Sequence, residues 1–326
     1  MRVEGKYISM PFSGITTFLK APLVDEPSTL PRNSIGVLGI PFDEATTNRP
    51  GSRFGPRAIR EASMLYTYWE GGRALDRGHG LKGFFDVESG ETFLTDVSIA
   101  DLGDVPVAPT SINKTHTRIT DSVSSMSASG IFPFILGGDH SVTYPVVKGL
   151  GETAGDFWIL QIDSHIDYLG ELDGSAFTHA SPMKLCRELD FVRGVVNAGA
   201  RGILGDEDVL QKARAEGCAV ETSEQILKHG IEHLLSYMAG QKRCYVTLDI
   251  DVFDPSIAPG TGVPEPGGLG FREVRAMLRE VGHRCEVVGF DVVEVNPLYD
   301  PSGITAQLAA RTAIDFLGAI YKGKRT

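Results

Sequence analysis

Acidic and imidazole side chains gather at four places in this 326-residue chain, in spacings that suit metal binding. The runs are Gly137-Gly138-Asp139-His140, Asp163-Ser164-His165-Ile166-Asp167 and Asp249-Ile250-Asp251-Val252-Phe253-Asp254-Pro255, with Glu294 further on. In extended backbone alternate side chains share a face, so Asp163, His165 and Asp167 are expected to point one way and Ser164 and Ile166 the other. Asp249 and Asp251 repeat the device. Unpaired carboxylates beside a buried strand are costly to keep ionised, so the two runs together argue for a bound cation. Asp139-His140 alone reads as a turn aspartate and a hydrogen-bonded histidine, and Asp254 before Pro255 as a turn opener. Two imidazoles and four carboxylates suit a pair of divalent ions, because oxygen ligands favour manganese and histidine admits nickel, cobalt or zinc. A lone zinc would need fewer acids. Two dications would neutralise Asp163, Asp167, Asp249 and Asp251 and would lower the pKa of a shared water, giving a hydroxide nucleophile at neutral pH. Metal-assisted hydrolysis is the implied reaction class.

Something must hold these runs together, and the hydrophobic pattern says what. Short apolar runs at Ile35–Ile40, Val97–Leu102, Ile131–Leu136, Phe157–Ile162, Val195–Ala198, Cys218–Glu221, Cys244–Leu248 and Val287–Val292 read as eight strands. Several are apolar on both faces, which suits a parallel sheet covered by helices on each side. Helical patterns fall at Pro56–Tyr68, Asn113–Ser129, Ser181–Leu189, Asp206–Glu216, Ser223–Met238, Phe271–Val281 and Thr305–Tyr321, the fifth with Ser223 as a candidate N-cap. The alternation predicts one α/β domain, either an open three-layer sheet or a closed barrel. In both, working residues belong just past the carboxyl ends of strands. Four of the eight predicted strands deliver acids or histidine there. Leu169–Thr178 and Asp254–Gly270 read as long loops, and loops of that length in a compact domain are usually functional or flexible.

Composition narrows the partners. With 42% hydrophobic and 22% charged residues the chain is ordinarily globular. A net charge of −11 speaks against a nucleic-acid or anionic-membrane binder and favours a small cation as ligand. The longest apolar runs fall far short of the roughly 18 residues of a membrane helix, and the first residues lack the apolar core of a secretory signal. A cytoplasmic protein is expected. Cys186, Cys218, Cys244 and Cys285 are widely scattered, so neither a zinc knuckle nor a disulfide framework is suggested.

The three metal-type runs resemble those of the ureohydrolases, the arginases and agmatinases, and are closest to the agmatinase-like branch. Asn48-Arg49-Pro50-Gly51-Ser52-Arg53-Phe54-Gly55-Pro56, Ala258-Pro259-Gly260-Thr261-Gly262 and Gly289-Phe290-Asp291-Val292-Val293-Glu294-Val295 look like that branch as well. The resemblance runs from about residue 35 to the C-terminus, leaving residues 1–34 as an N-terminal extension and 35–326 as a single domain. It implies a three-layer α-β-α sandwich around an eight-stranded, mainly parallel sheet. It also implies a binuclear centre of two divalent ions per chain, Mn2+ with Ni2+ as the alternative, and usually a homo-trimer or homo-hexamer. Carried over by position, His140, Asp163, Asp167 and Asp249 would hold one metal and Asp163, His165, Asp249 and Asp251 the other. Asp167 would orient the hydroxide that attacks the guanidinium carbon, His179 would shuttle protons, and Glu294 would pair with the guanidinium to release urea and an amine.

Departures from the family pattern bear on substrate. Ser164 stands where the family commonly has Ala, and Ala45-Thr46-Thr47 replaces a more usual glycine-containing loop. Tyr168 and the segment Leu169 to Ser175, expected at the pocket rim, do not look like the arginase loop that grips the amino-acid end of arginine. Glu171 and Asp173 would favour a cationic tail such as that of agmatine, whereas Arg49, Arg53 or Arg57 could reach a carboxylate such as that of guanidinobutyrate. Guanidine itself and biguanides stay open. Two other readings are carried: a single-zinc deacetylase-like hydrolase, which shares the fold, and a non-catalytic subunit that assists a related active chain. His79, His116, His229, His233 and His283 match no motif and are expected in core or solvent.

Overall fold

Strands whose alternate residues are apolar on both faces must be covered on both sides, and that requirement builds this molecule. The computed structural model describes residues 10–67, 80–238 and 243–322. Its strands are β1 (Ile35–Gly39), β2 (Gly80–Asp86), β3 (Glu91–Asp104), β4 (Phe132–Leu136), β5 (Phe157–Ile162), β6 (Val192–Ala200), β7 (Cys218–Thr222), β8 (Arg243–Asp249) and β9 (Glu286–Val293). They form one nine-stranded sheet in the order β2-β3-β1-β4-β9-β8-β5-β6-β7. Eight of them run parallel; β2 alone pairs antiparallel, against β3. The eight expected strands are present, and β2 is the ninth. Its two glycines and its apolar residues broken by Lys82 leave no continuous apolar run, and that hid it. Two edges make this an open sheet and not a barrel.

The described helices are α1 (Gly55–Ser63), α2 (Ile112–Ala128), α3 (Thr143–Ala154), α4 (Pro182–Arg187), α5 (Glu207–Ala215), α6 (Ser223–His229), α7 (Ile231–Ser236), α8 (Phe271–Arg284) and α9 (Ile304–Ile320). Phe134, Leu160, Val246 and Phe290 pack in one apolar core with Ile59 of α1, Leu234 of α7, Val274 of α8 and Ala309 of α9. Their strand neighbours Ile135, Ile159 and Tyr245 pack in a second core with Val123 of α2, Val146 of α3, Met183 of α4 and Ala213 of α5. Those two cores are the spaces between the three layers. From the N-terminal segment, Phe18 and Leu19 are fully buried in the first core, and the Phe18 amide donates to Asp101 at 2.8 Å.

Two helices differ from their sequence patterns. No helix was expected at α3, where Gly149 and Gly151 blur the periodicity. Gly149 is there because a Cβ would fall 2.7 Å from the Thr120 carbonyl oxygen, so only glycine lets α3 approach α2 this closely. The Ser223–Met238 pattern divides at Gly230, whose φ of +73° ends α6 before α7 begins. Its N-cap is Thr222, in a capping box with Gln225, and Ser223 instead donates to the Gly199 carbonyl. The last residue of the Pro56–Tyr68 pattern lies outside the described residues, as does His79.

Candidate metal centre

Four neighbouring strands at the middle of the sheet, β4, β9, β8 and β5, deliver at their carboxyl ends the residues singled out in the sequence. His140 follows β4, Asp163 to Asp167 follow β5, Asp249 ends β8 with Asp251 one 3₁₀ turn on, and Glu294 follows β9. Sequence order scatters these runs over 150 positions; strand order makes them adjacent.

Around His140 the geometry is unusual for hydrogen bonding. Its Nδ1 lies 3.1 Å from Asp163 Oδ2, 2.8 Å from Asp167 Oδ2 and 3.2 Å from Asp249 Oδ2, yet it has no aligned hydrogen-bond partner. One nitrogen cannot serve three carboxylates, but all four atoms can face one cation. Bonds near 2.1 Å to an octahedral dication place adjacent ligand atoms roughly 3.0 Å apart, which is the spacing found. A second group lies beside the first: His165 Nδ1 is 3.1 Å from Asp251 Oδ2 and 3.6 Å from Asp163 Oδ1. Asp163 belongs to both groups, one oxygen facing each imidazole. The donor set, two imidazoles and four carboxylates with Asp163 shared, fits a pair of divalent ions.

The electrostatics agree. Asp163, Asp249 and Asp251 are at most 3% exposed. Burial, with Asp251 and Asp163 beside it, pushes the Asp249 carboxyl well above the ordinary range. Asp167 is pushed up to about 6, by burial first and then by Asp163. For His165 burial works the other way, but Asp251 and Asp163 outweigh it and push the imidazole up to about 12. His140 is raised too, because Asp163, Asp167 and Asp249 together overcome its burial. Like charges crowded in a dry site favour bound cations, and two imidazoles stand among these carboxylates.

A second layer of polar residues orients the first. Thr247 Oγ1 lies 2.9 Å from His140 Nε2, leaving Nδ1 for the carboxylates. Gln161 donates to Asp163 Oδ2 at 2.7 Å, and Asn197 donates to the His165 carbonyl at 2.6 Å. None of the three stands in a motif of the site. The signal was there: each is a polar residue inside an otherwise apolar strand, and buried polar groups must have partners. Ser164 corrects an expectation. Its hydroxyl donates to Asp251 Oδ1 at 2.8 Å instead of facing away, because β5 ends at Ile162 and the strand alternation ends with it. Asp167 and Glu294 both adopt left-handed backbone, at φ +46° and +62°. Such strain in non-glycine residues clusters at functional sites.

His179 and Glu294 lie side by side, with Nδ1 3.3 Å from Oε1. The Thr47 backbone N–H donates to His179 Nε2 at 3.1 Å, which assigns the ring proton to Nδ1, facing the carboxylate. Glu294 Oε1 also accepts from the His140 amide at 3.0 Å. Its Oε2 lies 3.5 Å from where a Cβ on Gly262 would sit, so that glycine keeps the space before the carboxylate open. Asp139 is a scaffold group: it accepts from Ser141 and from the Ala45 amide. Asp254 likewise holds its turn, accepting from Ser256, Gly267 and Gly268.

The rim differs from expectation in one residue. Tyr168 is 2% exposed and donates to Glu216 at 2.6 Å, so it is a core residue and not a lining one. Glu171 and Asp173 are exposed. Among the arginines, Arg53 is tied to Asp43 and Arg57 is exposed on α1. Arg49 stacks over Tyr299, 5.1 Å from the ring centre, and no described carboxylate lies within ion-pair distance of it. His116 is packed among Phe42, Tyr144 and Phe177, and His283 is exposed. None of the described helices is long and apolar enough to cross a membrane.

Comparison with known proteins agrees with this geometry. The chain is 34% identical to the proclavaminate amidinohydrolase of Streptomyces clavuligerus over 98% of its own length and 97% of that protein's. The solved structure of that enzyme superposes with a TM-score of 0.84, covering 97% of this chain and all of that one. The human mitochondrial guanidino acid hydrolase is 33% identical over 95% of this chain and 84% of its own. The agmatinase of Bacillus subtilis is 32% identical over 87% and 91%. The sequence profile of the Arginase family matches residues 33–318. The chain is a member of the arginase family, and a hydrolase of carbon–nitrogen bonds.

Proposed function

We propose that this protein is a binuclear-metal amidinohydrolase that releases urea from a small guanidino compound carrying a carboxylate. The observation that carries the reading is the convergence of His140, His165 and four buried aspartates beside the Glu294–His179 pair. His140, Asp163, Asp167 and Asp249 would hold one ion, and Asp163, His165, Asp249 and Asp251 the other. The oxygen-rich donor set favours manganese, with nickel the alternative. When bound, the two ions supply a water nucleophile at neutral pH and stabilise charge in the transition state. A single-zinc deacetylase reading has no use for so many acids. Assembly as a homo-trimer or homo-hexamer is part of the proposal, on the family resemblance alone.

The protein's own groups do the rest. Glu294 Oε2, unengaged by His140 and His179, is placed to pair with a guanidinium that stays protonated at every physiological pH. Asp167 accepts a hydrogen bond from the attacking water and so orients it. His179, whose protonated form Glu294 favours, would give its Nδ1 proton toward the leaving amine and be recharged by the proton that the attacking water loses. Thr247 is a positioning residue for His140. Thr247→Val keeps the shape and removes that hydrogen bond, and metal affinity is expected to fall about 10–100-fold, as for lost orienting partners elsewhere. Equilibrium metal titration reads it, with turnover restored at high metal.

Arg49 supports the carboxylate. It stands at the rim, its carbonyl held by Asn296 and beside Gly262, its guanidinium on Tyr299 and free of acidic partners among the described residues. Two of the relatives above carry guanidino acid or proclavaminate in their names. The test is urea release from manganese- and nickel-loaded protein against guanidinobutyrate, guanidinopropionate, agmatine, arginine, guanidine and a biguanide. A guanidino acid is expected to lead, and Arg49→Gln to raise its KM about tenfold while leaving agmatine unchanged. Agmatine leading in the wild type would transfer the substrate to the cationic class. Silence across the panel with two ions bound would favour the subunit reading.

A further inference from the structure

We infer that the chain carries a separate surface site for a borderline divalent ion, zinc foremost, built from Glu221, His229 and His233. It lies at the sheet edge, on β7, two strands beyond β5 and away from the central cluster. Glu221 is the anchor: it is 3% exposed, and the basic side chains within 4.0 Å of it among the described residues are two imidazoles. Tyr237 donates to its Oε1 at 2.6 Å and so fixes the carboxylate's orientation. His229 closes α6 and His233 lies in α7, and the Gly230 break between them sets the rings 5.1 Å apart and edge to face.

The distances suit a closed polyhedron. His233 Nε2 is 3.3 Å from Oε1 and His229 Nδ1 is 4.0 Å from Oε2, with one ligand atom from each residue falling within 4.8 Å of the others. A tetrahedral zinc with bonds near 2.0–2.1 Å separates its ligand atoms by roughly 3.3–3.5 Å, so only the exposed imidazoles need to close in. Two nitrogens and one oxygen select zinc, nickel, cobalt or copper over manganese. Water would fill the fourth position. The hydrogen bond from Tyr237 to the ligating carboxylate is the kind of outer partner that metal sites use. Bound there, the ion would clamp the edge strand to both helices across their break.

The test counts ions. Wild type and His229→Ala/His233→Ala are stripped of metal, dialysed against zinc and then against zinc-free buffer, and analysed for metal per chain. The double variant is expected to hold one zinc fewer per chain than wild type, and each single variant to hold it more weakly. Both histidines are exposed, so the variants should fold; after manganese loading their hydrolase activity should match wild type. A second readout is melting: zinc should raise the midpoint of a chain disabled at the centre by Asp249→Asn, and not of that chain also lacking both histidines. Equal zinc counts in wild type and double variant would overturn the proposal. They would leave the two imidazoles as plain neighbours of a buried carboxylate.

Discussion

Asp249→Asn is expected to lower urea release by on the order of 10³-fold or more, about 4 kcal/mol of transition-state stabilisation, while the metal-free protein loses no stability. The two halves of that result have one cause. Asp249 Oδ1 accepts from the Asp251 amide at 2.9 Å, a bond that an asparagine oxygen can keep. Asp249 Oδ2 faces His140 Nδ1 at 3.2 Å and is the atom that would face a cation. Replacing it by an amide removes a ligand and also removes a carboxyl that burial, with Asp251 and Asp163 beside it, makes costly to ionise in the metal-free fold. Wild type should therefore gain several degrees in melting temperature from saturating manganese, since 100-fold excess over the dissociation constant is worth about 2.7 kcal/mol. The variant should gain little, and without metal should melt at or above wild type. Kinetics at saturating manganese and melts with and without chelator give both numbers. Wild-type turnover in Asp249→Asn would remove this residue from the centre.

The strand ends were legible because a buried parallel strand leaves a plain trace, an apolar run, and the residues after it are contiguous in sequence. Asp163, Asp249 and Glu294 can thus be assigned to one rim from sequence alone. What defeated the reading were features set by backbone turning after the strand. Ser164 reaches Asp251 because the chain bends at Asp163, and Asp167 sits at φ +46°, neither of which alternation can express. Tyr168 was expected at the rim with the segment that follows it, but it lies in the core and donates to Glu216. β2 went unseen because an edge strand needs no continuous apolar run. His229 and His233 were set aside correctly as far as any family motif goes. Their partner Glu221 is ten residues away in sequence on average, and only the break at Gly230 brings the three together.

Glu294→Gln should separate recognition of the substrate from binding of metal. Among the site's acids Glu294 stands apart from the carboxylates that face His140 Nδ1 or His165 Nδ1, so its loss should leave metal content unchanged. The glutamine oxygen can take the place of Oε1, where the His140 amide and the His179 ring N–H both donate. The amide NH2 then has one place to go, the Oε2 position beside Gly262, where a guanidinium would meet donors in place of an acceptor. Losing one partner of a desolvated charge pair typically costs about 2–5 kcal/mol, so kcat/KM should fall roughly 10²- to 10³-fold, most of it in KM. Glu294→Asp should not rescue it. Aspartate tolerates the left-handed backbone better, but one methylene less withdraws the carboxylate from both donors and from the slot. Unchanged KM in Glu294→Gln would mean that the guanidinium is held elsewhere, and that Glu294 serves only to fix His179.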